Sequence, residues 1–226
     1  MGYPQDTDQT REDYADYLKG KRVIVVGPAP HMDGSKMGDF IDSYDVVVRV
    51  NRGYRISKDM VSDLGQRTDI LYQTMLPHLG MGTTTPIEEL KNKMQWVSAS
   101  FPDKKHKPMI EKFIKFNSNR MRFHIIDKKY WESLRKKVDV PHSGTVAIFD
   151  MIKHDIKELY VAGITFYQAT GPHGAFYYEG YHKKANKKKW AKGTKHDCSR
   201  TFKYFKKISE KDNRIKCDHI LEELLK

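Results

Sequence analysis

Residues 21–51 read KRVIVVGPAPHMDGSKMGDFIDSYDVVVRVN, and this stretch decides the fold. The apolar run Arg22–Val26 predicts a buried strand, and a loop with two glycines and two prolines (27–34) follows it. A short helix over Lys36–Asp42 and a second apolar strand, Val46–Val50, complete a βαβ unit. Because ligands of open α/β sheets bind outside the carboxyl ends of the strands, this stretch predicts a ligand site in the first quarter of the chain.

Strand-like and helix-like patterns alternate along the rest of the chain. The further predicted elements are strands over Asp69–Gln73, Trp96–Ser100, Arg122–Ile126 and Glu158–Ala162, and helices over Pro86–Lys93, Pro108–Lys115, Lys128–Lys137 and Ser143–Lys153. Continuous apolar runs such as VIVV are typical of strands covered on both faces. The sequence therefore predicts an α/β, Rossmann-like three-layer sandwich with a mostly parallel central sheet. No linker divides the chain, so we expect one domain over 11–226, after a polar tail over 1–10 that is predicted to be disordered.

Composition narrows the classes of partner. The chain has 226 residues and a net charge of +12, and its sequence pI is about 9.5. This excess of positive charge favours an anionic partner: a nucleic acid, an acidic membrane, a phosphate-bearing donor or an acidic glycan. A lysine-rich surface that only keeps the protein soluble is an equally good interpretation. Most of the charge is scattered, but seven lysines crowd residues 183–195.

Two cysteines, Cys198 and Cys217, make no disulfide framework, although one bridge between them is compatible with the sequence. The start of the chain lacks the apolar region of a signal peptide, and no apolar run reaches eighteen residues. We therefore expect a soluble cytoplasmic protein without a membrane span. The segment 163–193 is poor in aliphatic periodicity but rich in aromatic residues, which is typical of a functional loop or lid.

The first crossover loop is an ambiguous signal. It lacks the second glycine of a dinucleotide fingerprint, and Pro28 and Pro30 each remove a backbone donor. It is also no P-loop, so a structural turn and a ligand-binding loop remain equally good interpretations. Asn51 ends the second strand, where its carboxamide can contact a base or ribose, or can simply belong to a turn.

Two helix starts are further candidates. Pro141–Gly144 opens a helix with Ser143 as the expected N-cap, and Gly144 lets a ligand approach the backbone, so phosphate binding and ordinary capping are both open. Thr194 and Asp197 approximate a capping box, which predicts His196 in a first helical turn, neutral and able to accept a proton. A surface histidine without a role is the alternative. No HExxH, CxxC or nucleophile-elbow pattern occurs.

Together these pieces resemble the animal-type sialyltransferases, glycosyltransferase family 29. The large sialylmotif is matched by Val25–Gly27, Gly34, Gly38, Ile41–Asp45 and Arg49–Asn51, and the match continues through Asp63–Thr68. The small motif resembles Pro141–Gly144 through Gly163, the third resembles Tyr177–Glu179, and the very small motif resembles His196-Asp197. Four motifs in the family's order make this a specific resemblance.

The departures from the family pattern suggest a small soluble viral or microbial member. The cysteine pair of the large and small motifs is missing, and Val23 lies in the equivalent region. Pro28 replaces an asparagine, and Thr201 replaces the glutamate of the very small motif. The third-motif histidine position holds Ala175 or Phe176, although His173 or His182 could substitute.

The resemblance implies a GT-A-like fold and an inverting, metal-independent transfer of sialic acid, or a related acidic sugar, from a CMP-sugar to a glycan hydroxyl. His196 would be the general base, and His173 or a lysine of the predicted lid would assist the leaving phosphate. The implied donor-binding residues are Gly27, Pro28, Asn51, Ser143, Gly144, Gly163, Tyr177 and Tyr178. The resemblance implies no cofactor beyond the CMP-sugar co-substrate, no metal and no stable nucleic-acid binding. A catalytically inactive nucleotide- or nucleic-acid-binding protein of the same fold is the alternative, and an unrelated Rossmann-like dinucleotide or methyl-donor enzyme is a third.

Overall fold

The structure, a computed structural model, describes residues 7–75, 90, 93–118, 120–169 and 197–226. Its strands are β1 (Arg22–Val26), β2 (Val46–Val50), β3 (Ile70–Gln73), β4 (Trp96–Ala99), β5 (Arg122–Ile125), β6 (Glu158–Ala162) and β7 (Ile215–Cys217). Its α-helices are α1 (Asp8–Leu18), α2 (Gly38–Asp42), α3 (Val61–Leu64), α4 (Lys107–Asn117), α5 (Lys128–Val138), α6 (Ser143–Lys153), α7 (Cys198–Ser209) and α8 (His219–Leu225).

The seven strands form one parallel sheet in the order β5-β4-β3-β2-β1-β6-β7. The chain moves outward from β1 to β5 and then returns to place β6 on the other side of β1. This reversal creates a switch point between β1 and β6, where Val26 is in register with Ala162. A crevice at the carboxyl ends of the strands is expected there.

Helices cover both faces of the sheet, as the apolar strands predict. The β1 residues Val23 and Val25 share a buried cluster with residues of α1, α5, α6 and α7. Ile24 and Val26, which point to the opposite face, pack against residues of α2 and α3. Further along the sheet, α4 covers that second face through a separate cluster. The predicted three-layer sandwich is therefore confirmed, and its sheet is entirely parallel.

The predicted strand and helix boundaries agree with the structure to within about two residues where the two overlap. Two described helices are exceptions: α7 begins later than predicted, at Cys198, and α1 lies partly in the predicted tail. Helix α1 starts at Asp8, inside the stretch predicted to be a disordered tail over 1–10, and Thr7 Oγ1 caps it by accepting from Thr10 N at 3.1 Å. Only Tyr14 and Leu18 of this helix are buried, so most of its residues are polar. A segment of this composition resembles a disordered tail in the sequence. The predicted helix over Pro86–Lys93 falls largely outside the described residues.

The C-terminal residues add an edge strand and a helix that the sequence reading missed. Strand β7 pairs in parallel with β6, and α8 follows it directly. Cys198 and Cys217 are both free thiols, so the bridge left open by the sequence does not form. Within the described residues, no helix is both long and apolar enough to cross a membrane.

Candidate active site at the strand switch point

Two glycines meet where β1 and β6 end. Gly27 N donates to Ala162 O at 2.8 Å, and Ala29 N donates to Gly163 O at 2.9 Å. A Cβ on Gly27 would lie 2.4 Å from Gly163 O, and a Cβ on Gly163 would lie 2.6 Å from Gly27 O. Gly163 also has a φ of +67°, in the left-handed region. The two predicted donor-site glycines therefore touch backbone to backbone, at the point where the topology opens a crevice.

The carboxylate of Asp218 holds this junction together. Asp218 is 1% exposed; its Oδ2 accepts from Gly163 N at 2.6 Å and lies 2.9 Å from His31 Nε2. Its Oδ1 accepts from Leu221 N at the start of α8. Burial alone would raise the pKa of Asp218, but the hydrogen bonds from His31, Leu221 and Gly163 outweigh it and lower this pKa. One buried carboxylate thus joins the first crossover loop, the end of β6 and the C-terminal helix.

The glycine junction gives a prediction with a matched control. Gly163→Ala should lower the free energy of unfolding by about 3 kcal/mol, because the new Cβ meets backbone in addition to the left-handed strain. Gly34→Ala has nearly the same φ, +72°, but nothing lies within 4 Å of its Cβ, so it should lose only about 1 kcal/mol. Urea unfolding measures both. Equal losses would show that the close backbone approach does not matter.

Helix α6 begins at the same edge with an open N-terminus. Its N-cap is His142, which makes no side-chain capping hydrogen bond, and Ser143 is the first helical residue. The prediction that Ser143 is the N-cap is therefore wrong, because the chain turns into the helix one residue earlier than the serine preference suggested. The first-turn N–H groups of a helix lack intrahelical partners and attract anions. Gly144 belongs to that turn, and a Cβ there would lie 3.2 Å from Ile164 Cδ1.

Helix α7 begins later than predicted. Asp197 is its N-cap, and Asp197 Oδ1 accepts from Arg200 N at 2.8 Å, so the helix starts at Cys198 and not at Thr194. His196, predicted to lie in the first turn of this helix, precedes the capping residue in the sequence and falls outside the described residues. The cause is that the carboxylate of Asp197 itself caps the helix.

The starts of α6 and α7 lie against each other. Cys198 Sγ is 3.7 Å from His142 Nε2, although 56 residues separate them in the sequence. Cys198 is two residues beyond His196, and His142 immediately precedes Ser143. The Thr201 hydroxyl donates to Val138 O at 3.1 Å, which fixes the first turn of α7 to the end of α5. The start of α7 is therefore adjacent to the start of α6, the helix with the open N-terminus.

Asn51 occupies the tip of β2 in a left-handed conformation, with a φ of +50°. Its backbone oxygen accepts from Gln73 Nε2 at 2.6 Å, and its Oδ1 accepts from Thr74 N at 3.3 Å. The end of β3 thus holds Asn51 at the carboxyl edge of the sheet. Gln73 is fully buried, and its Oε1 has no hydrogen-bond partner among the described residues. Sequence reading missed Gln73 because a glutamine inside an apolar strand carries no motif.

The described residues bring six predicted site residues to one edge of the sheet: Gly27, Pro28, Asn51, Ser143, Gly144 and Gly163. The remaining predictions, His173, Tyr177, Tyr178 and His196, fall outside the described residues. His142, Cys198 and Asp218 were not predicted; His142 lay inside a quoted motif, whereas Asp218 carried no sequence signal. Within the part of the chain that the structure describes, no three His, Cys, Asp or Glu side chains form a group able to hold a metal ion.

Comparison with known proteins agrees with this fold. The family model of glycosyltransferase family 29 (sialyltransferase) matches residues 4–213. A mammalian sialyltransferase in complex with Gal-beta-1-3GalNAc-ortho-nitrophenol is similar at a TM-score of 0.62 and 16% identity, over 95% of this chain and 74% of that one. CstII from Campylobacter jejuni, in complex with the substrate analogue cytidine-5'-monophosphate, is similar at a TM-score of 0.54 and 16% identity. The match covers 88% of this chain and 80% of that one. The shared fold is the Rossmann-like, GT-A-like one. No curated protein sequence matches the chain.

Proposed function

Because the chain belongs to glycosyltransferase family 29 (sialyltransferase), we propose that it transfers sialic acid or a related acidic sugar from a CMP-sugar to a glycan hydroxyl. The protein is a sialyltransferase-like glycosyltransferase, and the proposal concerns its donor, its acceptor and its mechanism. The observation that carries the proposal is the 3.7 Å contact between Cys198 and His142. Cys198 is two residues after the proposed base, His196, and this contact holds Cys198 against the start of α6, the helix end that suits the donor phosphate.

In this proposal the donor lies across the switch point. The first-turn amides of α6, at Ser143 and Gly144, bind the phosphate through hydrogen bonds and the helix dipole. The Gly27–Gly163 junction brings the first crossover loop and the end of β6 together at the strand ends, and the nucleotide lies against this junction. Asn51, held at the tip of β2, contacts the nucleoside. Pro28 lines the first loop, and Tyr177 and Tyr178 stack on the cytosine.

For the reaction, we propose a single displacement with inversion and without a metal ion. His196 removes the proton of the acceptor hydroxyl as that oxygen attacks the anomeric carbon. The bond to the CMP phosphate breaks at the same time, and the open end of α6, with His173, stabilises the negative charge that develops on the phosphate. The lysines of residues 183–195 add positive charge near the donor. All these parts belong to one proposed catalytic domain over 11–226.

Calorimetry tests the donor class. We expect CMP to bind without added magnesium, and single-stranded DNA to show no binding at the same salt concentration. In this proposal the Ser143 hydroxyl donates a further hydrogen bond to the phosphate beside the backbone amides. Ser143→Ala removes that hydroxyl and should weaken CMP binding about tenfold, because a hydrogen bond to a charged group contributes about 1.5–3 kcal/mol. Ser209→Ala, at the far end of α7, serves as the control and should bind CMP like the wild type. DNA binding that falls steeply with salt, with no CMP affinity, would contradict the proposal.

A further inference from the structure

His142 lies where three separate parts of the chain converge. It is the N-cap of α6, its Nε2 is 3.7 Å from Cys198 Sγ at the start of α7, and its ring centroid is 4.8 Å from that of Tyr167, after β6. Sulfur hydrogen bonds are longer than those of oxygen, so 3.7 Å is a bonding distance. The proposed reaction gives no role to either Cys198 or Tyr167.

The loop after β6 is strained in a way that places Tyr167 beside His142. Phe166 and Tyr167 are consecutive non-glycine residues with φ values of +50° and +59°. Each such residue costs on the order of 1–3 kcal/mol and persists only where surrounding contacts enforce it. Phe166 supplies that contact, since it is 4% exposed and its ring lies 4.7 Å from that of Phe205 in α7. Backbone strain of this kind concentrates at functional sites.

We propose that Cys198 is a positioning residue: its thiol donates a hydrogen bond to His142 Nε2, fixes the imidazole proton on Nδ1, and holds the start of α7 against the start of α6. The thiol thereby sets where the chain immediately before α7, including His196, stands relative to the donor phosphate. This last step rests on the proposed function, whereas the hydrogen bond itself does not.

The protonation of the thiol agrees with this direction of donation. Burial raises the pKa of Cys198, and the neighbouring Asp197 carboxylate raises it further. At neutral pH Cys198 is therefore a thiol and not a thiolate, so it carries the proton that the proposed donation to His142 Nε2 requires. A thiolate–imidazolium pair, as found in cysteine nucleophiles, would need the opposite shift of the thiol pKa.

Nuclear magnetic resonance of the protein with nitrogen-15-labelled histidines tests the hydrogen bond directly. We expect His142, assigned through the His142→Gln variant, to show an unprotonated Nε2 and a protonated Nδ1 at neutral pH. Cys198→Ala should mix the two tautomers, and Cys198→Ser, which keeps a donor, should retain the single one. A His142 tautomer unchanged in Cys198→Ala would overturn the proposal.

Kinetics test the positioning role. Cys198→Ala should lower kcat about tenfold with the donor KM little changed, because it misplaces a catalytic segment without removing a donor contact. Cys198→Ser should recover most of the lost rate. Cys217→Ala makes the same chemical change at the buried cysteine of β7 and should behave like the wild type. A wild-type kcat in Cys198→Ala would contradict the positioning role.

Alkylation of Cys198 tests whether the Cys198–His142 pair lies beside the proposed donor site, and the measurement needs no turnover. In the Cys217→Ala background Cys198 is the sole thiol, so the rate of iodoacetamide modification follows this site alone. Saturating CMP should slow the modification about tenfold. If calorimetry shows that CMP binds but Cys198 reacts at the same rate with and without it, the pair lies away from the donor. If CMP does not bind at all, the proposed function fails, while the tautomer measurement still decides the hydrogen bond.

Discussion

His196→Ala should keep the CMP affinity of the wild type and lose transfer by roughly 100-fold or more. The reason is that a general base acts on the acceptor proton, not on the nucleotide, so its removal affects the transition state and leaves donor binding intact. The location of the site supports this expectation. Cys198, two residues further along the chain, lies 3.7 Å from the N-cap of the proposed phosphate-binding helix. Turnover with a CMP-sugar panel and calorimetry with CMP measure the two quantities separately.

A second histidine gives the matched control for this variant. His219 is the exposed first residue of α8 and has no place in the proposed reaction. His219→Ala should therefore transfer sugar at the wild-type rate. Unchanged turnover in His196→Ala would remove the assignment of the base. Loss of both turnover and CMP affinity would instead make His196 a donor-binding residue.

The strands were predictable because they are short, continuous apolar runs in a sheet that is buried on both faces. Arg22–Val26 and Val46–Val50 have the predicted limits, and their parallel pairing follows from the crossover between them. The same reasoning located the switch point, since the glycine-containing segments after β1 and β6 lie at strand ends. Local pattern and global topology agree in this part of the chain.

The cap positions and the C-terminal edge were not predictable in the same way. Ser143 and Thr194 are favoured cap types, yet the caps are His142 and Asp197, because tertiary contacts decide where each helix starts. Asp218 caps α8 locally through Leu221 N, but its other hydrogen bonds join residues 55 and 187 positions away in the sequence. No local pattern encodes such partners, and a single sequence without its fold does not reveal them.

The helix that carries the proposed phosphate site is anchored to the sheet by a buried polar cluster. Asp150 of α6 is fully buried; its Oδ2 accepts from Tyr72 Oη at 2.5 Å and lies 3.0 Å from His124 Nε2. Tyr14 of α1 joins through Tyr72, with a distance of 3.0 Å between their hydroxyls. Burial alone would raise the pKa of Asp150, but the contact with His124 outweighs it and lowers this pKa. His154, one residue after α6, completes the cluster, with Nε2 4.0 Å from Asp150 Oδ1.

This cluster should make the protein lose stability as the pH falls from about 6.5 to about 4. The pKa of His154 is lowered from 6.5 to about 4, mainly by burial; Asp150 opposes this shift, and the positive charges of Lys153 and His124 contribute to it. Between these two values the unfolded chain binds a proton that the folded protein does not, so the free energy of unfolding decreases with decreasing pH. The difference between the two pKa values corresponds to about 3 kcal/mol of unfolding free energy, at 1.36 kcal/mol per pKa unit. Below pH 4 His154 contributes no further loss, whereas the lowered pKa of Asp150 begins to cost stability there.

The variant His154→Gln separates this contribution from the rest of the acid response. Glutamine keeps a polar side chain of similar reach but does not titrate, so the difference in unfolding free energy between pH 7 and pH 4 should shrink by about 3 kcal/mol. Urea unfolding at the two pH values measures it, and only the difference between them matters, whatever the variant costs at pH 7. His219→Gln removes an exposed histidine and should keep the wild-type response. If His154→Gln retains that response too, the acid sensitivity arises elsewhere, and the anchoring of α6 does not depend on a neutral His154.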